Sequence, residues 1–183
     1  MRRKLTAILS ALVMISLSAT AAFAGRTHLS GFVAFQLGSL IASGTFVGLG
    51  KQDVAVILDA TGNPVVTCTN QGGNQAPGQN PPKVLVTGIT SLPGNHPLRK
   101  NGISPFQVKA KDPQPLSAIE FGCPNDNWTA AIEFVFWTDA IITVREDLDP
   151  GADIILGDIL FGPQSFTCTT TRDPAGVTCT PTP

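Results

Sequence analysis

The residues best suited to chemistry are the carboxylates of Asp147-Leu148-Asp149-Pro150-Gly151-Ala152-Asp153. Acids at i, i+2 and i+6 around a glycine resemble part of a calcium loop, because hard Ca²⁺ takes several oxygens around a tight turn. The match is partial. Gly151 is out of place for an EF-hand, Pro150 stiffens the segment, and no bidentate glutamate follows at the twelfth position. Asp147, Asp149 and Asp153 are thus a partial ligand set, and a solvated turn between two strands accounts for the same residues.

Catalysis finds less support. His28 and His96 are the two histidines, and neither lies in a Gly-x-Ser-x-Gly elbow, a His-Glu-x-x-His helix or a reactive-cysteine setting. Paired carboxylates could serve a glycosidase, but only geometry can single out a pair in an acidic chain. No catalytic residue and no cofactor is expected. The amide-rich segment 70–82 could hydrogen-bond sugars, with Trp128 as a stacking face. A tryptophan near a cysteine in a sandwich, however, usually packs on the disulfide.

The four cysteines read as structural. Cys168 and Cys179 are equidistant from the centre of Arg172-Asp173-Pro174-Ala175, so a turn there sets them opposite each other on a hairpin. Cys68 and Cys123 then pair across the fold. There is no Cys-x-x-Cys motif, which favours bridges over metal or redox chemistry.

Such bridges need an oxidising compartment, and the first 24 residues supply the route. Arg2-Arg3-Lys4 precedes an apolar run from Leu5 to Leu17, and Ala22-Phe23-Ala24 fits a signal peptidase, with cleavage between Ala24 and Gly25. The apolar run is short for a spanning helix, which needs roughly 20 such residues. Residues 1–24 are therefore expected to be a signal peptide. The expected product, 25–183, is a single secreted or extracytoplasmic domain without stable membrane insertion.

That domain would have 159 residues with 9 basic and 13 acidic side chains. An acidic balance argues against nucleic acid, whose phosphates require clustered cations. Arg99, Lys100, Lys109 and Lys111 come nearest to a cluster and read as a solvated loop.

Short apolar runs between Gly- and Pro-rich turns would position all these groups. Val33, Phe35 and Leu37 alternate, as do Val54, Val56 and Leu58. A turn is expected at Thr61-Gly62-Asn63-Pro64, with a new strand from Val65 to Cys68. Further strands are expected at 83–89, 103–109, 118–121, 154–161 and 166–180. In the strongest segment, 128–144, Trp128, Ala130, Ile132, Phe134 and Phe136 are expected on one face, with Val135 and Trp137 on the other. Thr138-Asp139 is either a turn or part of one bent strand. The pattern predicts an all-β domain: an antiparallel two-sheet sandwich of immunoglobulin-like type, with a jelly roll as runner-up.

Cys68-Thr69-Asn70, Gly72-Gly73-Asn74, Ala76-Pro77-Gly78-Gln79-Asn80-Pro81 and Cys123-Pro124-Asn125-Asp126-Asn127-Trp128-Thr129 together resemble a group of uncharacterised secreted bacterial β-rich proteins, over about residues 45–180. The resemblance implies export and fold, and no activity. The expected role is non-enzymatic: structural, adhesive or protein-binding, toward a protein or a surface polymer. A carbohydrate-binding module is the alternative, and a hydrolase of unrecognised type a distant one.

Overall fold

The computed structural model describes residues 27–114, 117–149 and 153–183. The expected signal peptide, its Ala24–Gly25 junction and Pro150-Gly151-Ala152 lie outside the described residues. The described residues form ten strands: β1 (His28–Leu29), β2 (Ala34–Gln36), β3 (Ile41–Val47), β4 (Val54–Thr69), β5 (Gln75–Pro77), β6 (Val84–Leu92), β7 (Ile103–Lys109), β8 (Thr129–Asp147), β9 (Leu156–Arg172) and β10 (Ala175–Pro181). They form two antiparallel sheets that do not close into a barrel, so the all-β, two-sheet expectation holds at that level.

The smaller sheet is centred on β3. One of its edges pairs with β7 along its whole length, and the other with β1 and then β2. The larger sheet runs β10-β9-β8-β4, and the far edge of β4 carries β6 and then β5. β6 lies beside β7 at one seam, where Lys111 N donates to Thr87 O at 3.2 Å. β10 lies beside β2 at the other. Strands β4, β6 and β7 are thus spatial neighbours in chain order, and β3 returns beside β7, a Greek-key path.

The two inner faces share one core. Ala42, Phe46, Phe106 and Val108 from the smaller sheet meet Val56, Leu58, Trp137, Ile142 and Phe166 from the larger. Phe46 stacks on Phe106 within its own sheet at 4.6 Å and meets Phe161 of the other sheet edge-to-face at 5.3 Å. Burying side chains of this size contributes roughly 1.5–3 kcal/mol each.

Two sequence-based expectations fail along β4 and β8. Thr61-Gly62-Asn63-Pro64 does not turn; β4 runs through it as one strand of 16 residues. Gly62 is required there because a Cβ would come within 2.5 Å of Val135 and 2.9 Å of Phe136 O. The face assignment on β8 also changes. Val65 pairs with Phe134 but Val66 with Ile132, and Thr61 pairs with Asp139 but Gly62 with Trp137. Glu133 and Thr138 are therefore extra residues, and each reverses the inside–outside phase. Ala130 and Ile132 face the core, then Val135 and Trp137, then Ala140, Ile142 and Val144. Phe134 and Phe136 are left on the outside.

The segment 118–121 is not a strand. It forms turns in which Phe121 N bonds Ser117 O and Gly122 N bonds Ile119 O, and they drop the Phe121 ring into the core. The amide-rich 70–82 segment does cross the surface, but Gln75–Pro77 is pinned to β4 as a strand.

Candidate functional site

The outer face of the larger sheet gathers the exposed chemistry. On β4 the even-numbered residues from Val54 to Cys68 point inward, so the odd-numbered ones point out. Register then places Thr87, Asp59, Ile141 and Ser165 side by side across four strands. The next row holds Ile89, Ile57 and Thr143, and the row beyond it Ser91, Ala55, Arg145 and Ile159. Leu85 stands on the same face opposite Thr61, 79 % exposed, and Ile159 is 57 % exposed. Ile57, itself buried, pairs with Ile89 and lies diagonal to Ile141, so these three side chains adjoin, while Leu85 and Ile159 stand apart from them on the same face.

The polar groups between them are largely tied down. Thr87 Oγ1 donates to Asp59 Oδ1 at 2.6 Å, and Thr138 Oγ1 donates to Asp139 Oδ2 at 2.7 Å. Arg145 Nε donates to Gly157 O at 2.9 Å. Asp59 and Asp139 are diagonal neighbours on the outer face of the sheet.

Of the calcium candidates, Asp147 is buried while Asp149 and Asp153 are exposed. Both oxygens of the Asp147 carboxylate are occupied. Ser91 Oγ donates to Oδ2 at 2.5 Å, and the Asp149 amide donates to Oδ1 at 3.3 Å. Among the described residues, no three His, Cys, Asp or Glu side chains are grouped to hold a metal ion.

The four cysteines pair as their spacing indicates. Cys68 bonds Cys123, and Cys168 bonds Cys179 directly across the β9–β10 hairpin, where the turn is Asp173-Pro174. His28 sits exposed on β1, and His96 Nδ1 accepts from Leu98 N within a turn.

Arg99 is the cation that sequence reasoning missed. Instead of lying in a solvated loop, it clamps three segments. Nη1 donates to Gln52 O and Leu92 O, Nη2 to Gly50 O, and Nε to Ser104 Oγ, all between 2.8 and 3.1 Å. Burial lowers its pKa below the ordinary guanidinium value, and Asp53 acts in the opposite direction. An open depression of about 520 Å³ lies beside it, lined by Lys51, Asn95, Asn101 and Ile103 among others. With its donors spent on backbone carbonyls, Arg99 is a structural tie.

A sugar platform needs coplanar exposed rings. Trp137 is fully buried, Trp128 packs against the core, and Phe134 meets Phe136 at 73° between ring planes. Phe32, 98 % exposed, stands at the rim of a separate apolar groove between the β1–β2 connection and the β9–β10 hairpin. No helix among the described residues is long and apolar enough to cross a membrane. No protein-family model matches the chain, and no curated protein or solved structure matches it.

Proposed function

We propose that this is a secreted or surface-associated, non-enzymatic β-sandwich with a structural, adhesive or protein-binding role, exerted through the outer face of its larger sheet. The observation that carries the reading is the set of aliphatic side chains Leu85, Ile89, Ile141 and Ile159, left in solvent on one face across three strands that also bear polar side chains, with Ile89 and Ile141 joined through Ile57. Contiguous apolar surface rimmed by polar groups marks an interaction site. Two disulfides are compatible with an extracytoplasmic location. Removal of residues 1–24 and an immunoglobulin-like sandwich type complete the proposal. The facing antiparallel sheets and the Greek-key path support the fold reading.

Fractionation of producing cells tests the role. The wild-type chain should be found associated with the cell surface or an extracellular assembly. The doubly substituted Ile89→Asp, Ile141→Asp chain should fold, with an unchanged far-UV spectrum, and appear free in the medium. Identical distribution of the two chains would reject the reading.

A further inference from the structure

We propose that the occupant of this outer face is a second copy of the chain, docked sheet to sheet about a two-fold axis that crosses β8 between Ile141 and Thr143. The proposal rests on reading that face as an interface and names its partner. Charge placement carries it. Asp139, Ile141, Thr143 and Arg145 point outward at equal steps along β8, in the block where its register with β4 is unbroken from Thr61–Asp139 to Val54–Glu146. Same-face neighbours on a strand are about 6.7 Å apart. A two-fold axis at the centre of that row lays each Asp139 on the Arg145 of the second copy, and each Ile141 on Thr143.

Both charged groups are available for such a pair. Asp139 is exposed, and its one hydrogen bond goes to the neighbouring Thr138 through Oδ2. Arg145 spends Nε on Gly157 O, which holds the side chain in place, and its two Nη groups have no partner among the described residues. The carboxylate and the fork of the guanidinium thus form the complementary halves of a repeated ion pair.

Between the two ion pairs, Ile89 and Ile141 of each copy would leave water together, over the already buried Ile57. An isologous contact of this kind closes on itself and yields dimers, not fibres. Asp59 would face Ile57 of the other copy. Its retained bond from Thr87 reduces the cost of burying it, and the remaining cost keeps the association reversible.

Charge reversal with sedimentation equilibrium decides the matter on the full chain as the cell processes it. The wild type should be a reversible dimer. Asp139→Arg and Arg145→Asp should each raise the dissociation constant by about tenfold or more, as truncating or reversing a paired interface charge does. Combining both reversals should restore dimerisation, which a merely folding-related defect would not do. Far-UV spectra and melting curves check that each variant is folded. A wild-type monomer at several hundred micromolar overturns the proposal, as does a dimer indifferent to either single reversal or a double variant that stays monomeric. If the wild type is monomeric while the Ile89→Asp, Ile141→Asp chain is still released into the medium, the face binds something other than itself and only this inference fails.

Discussion

Asp147 shows how one residue's role depends on which way its side chain is turned. The spacing of Asp147, Asp149 and Asp153 is readable in the sequence, and so is its partial likeness to a calcium loop. The sequence does not say that Asp147 lies where Ser91 reaches it from β6, because that needs three strands in register. With its carboxylate oxygens accepting from Ser91 and Asp149, the group is a hydrogen-bonded anchor. Melting in chelator and in millimolar calcium should therefore give the same midpoint for the wild type and for Asp149→Asn. Asp147→Asn should lose about 1–3 kcal/mol in either buffer, the cost of disturbing a buried hydrogen-bonded carboxylate. A calcium-dependent rise of several degrees that Asp149→Asn abolishes would support the metal reading.

At the level of the element, the two extra residues in β8 matter most. Alternation is legible wherever a strand is regular, as at Val54, Val56 and Leu58. It misleads at Glu133 and Thr138, because a bulge is defined by the partner strand and β4 lies more than 60 residues away in sequence. The consequence is large: Phe134 and Phe136 move outside and Val135 and Trp137 move into the core. Deleting Glu133 should close the bulge and leave every later side chain of β8 on the face it has now, because Phe134 already pairs with Val65 and Ile132 with Val66. We expect that variant to lose no more than about 3 kcal/mol in urea unfolding, whereas deleting Ile141, in the block of unbroken register, turns Ile142 and Val144 outward and should cost more than about 4 kcal/mol or prevent folding. A Glu133 deletion as damaging as the Ile141 deletion would refute the bulge assignment. The failed turn at 61–64 has a related cause. Gly62 and Pro64 carry turn chemistry, yet pairing with β8 on one side, and on the other with β6 as far as Gly62, holds the segment extended.

On the scale of the molecule, the sandwich leaves strand edges that need protection. β1 and β2 form an interrupted edge, and β10 ends in Pro181, which offers no amide to a further strand. Edge-to-edge polymerisation is thereby discouraged. The two disulfides fasten different parts: Cys68–Cys123 ties β4 to the long β7–β8 connection, and Cys168–Cys179 ties the last hairpin. Intact-mass analysis of exported protein should begin at Gly25 and show no free thiol. Replacing Cys168 and Cys179 by serine should cost roughly 3 kcal/mol, and replacing Cys68 and Cys123 roughly 4 kcal/mol, by the loop-closure model. Full-length chain in the membrane fraction would contradict export with cleavage.

The sequence alone determined the β class, the Cys168–Cys179 pairing and with it Cys68–Cys123, the strand positions at 83–89 and 103–109 and the hairpin within 166–180, because all but the Cys68–Cys123 pair, which follows by elimination, depend on alternation and turn chemistry within a few residues of each site. Tertiary structure alone decided that 54–69 and 129–147 are unbroken strands, that Arg99 is a tie and Asp147 an anchor, and that Leu85, Ile89, Ile141 and Ile159 share one outer face. The physical reason is common to all of these. Each depends on hydrogen-bonded register or close approach between segments distant in the chain, and register is set by the summed burial of whole sheets, which no local pattern contains.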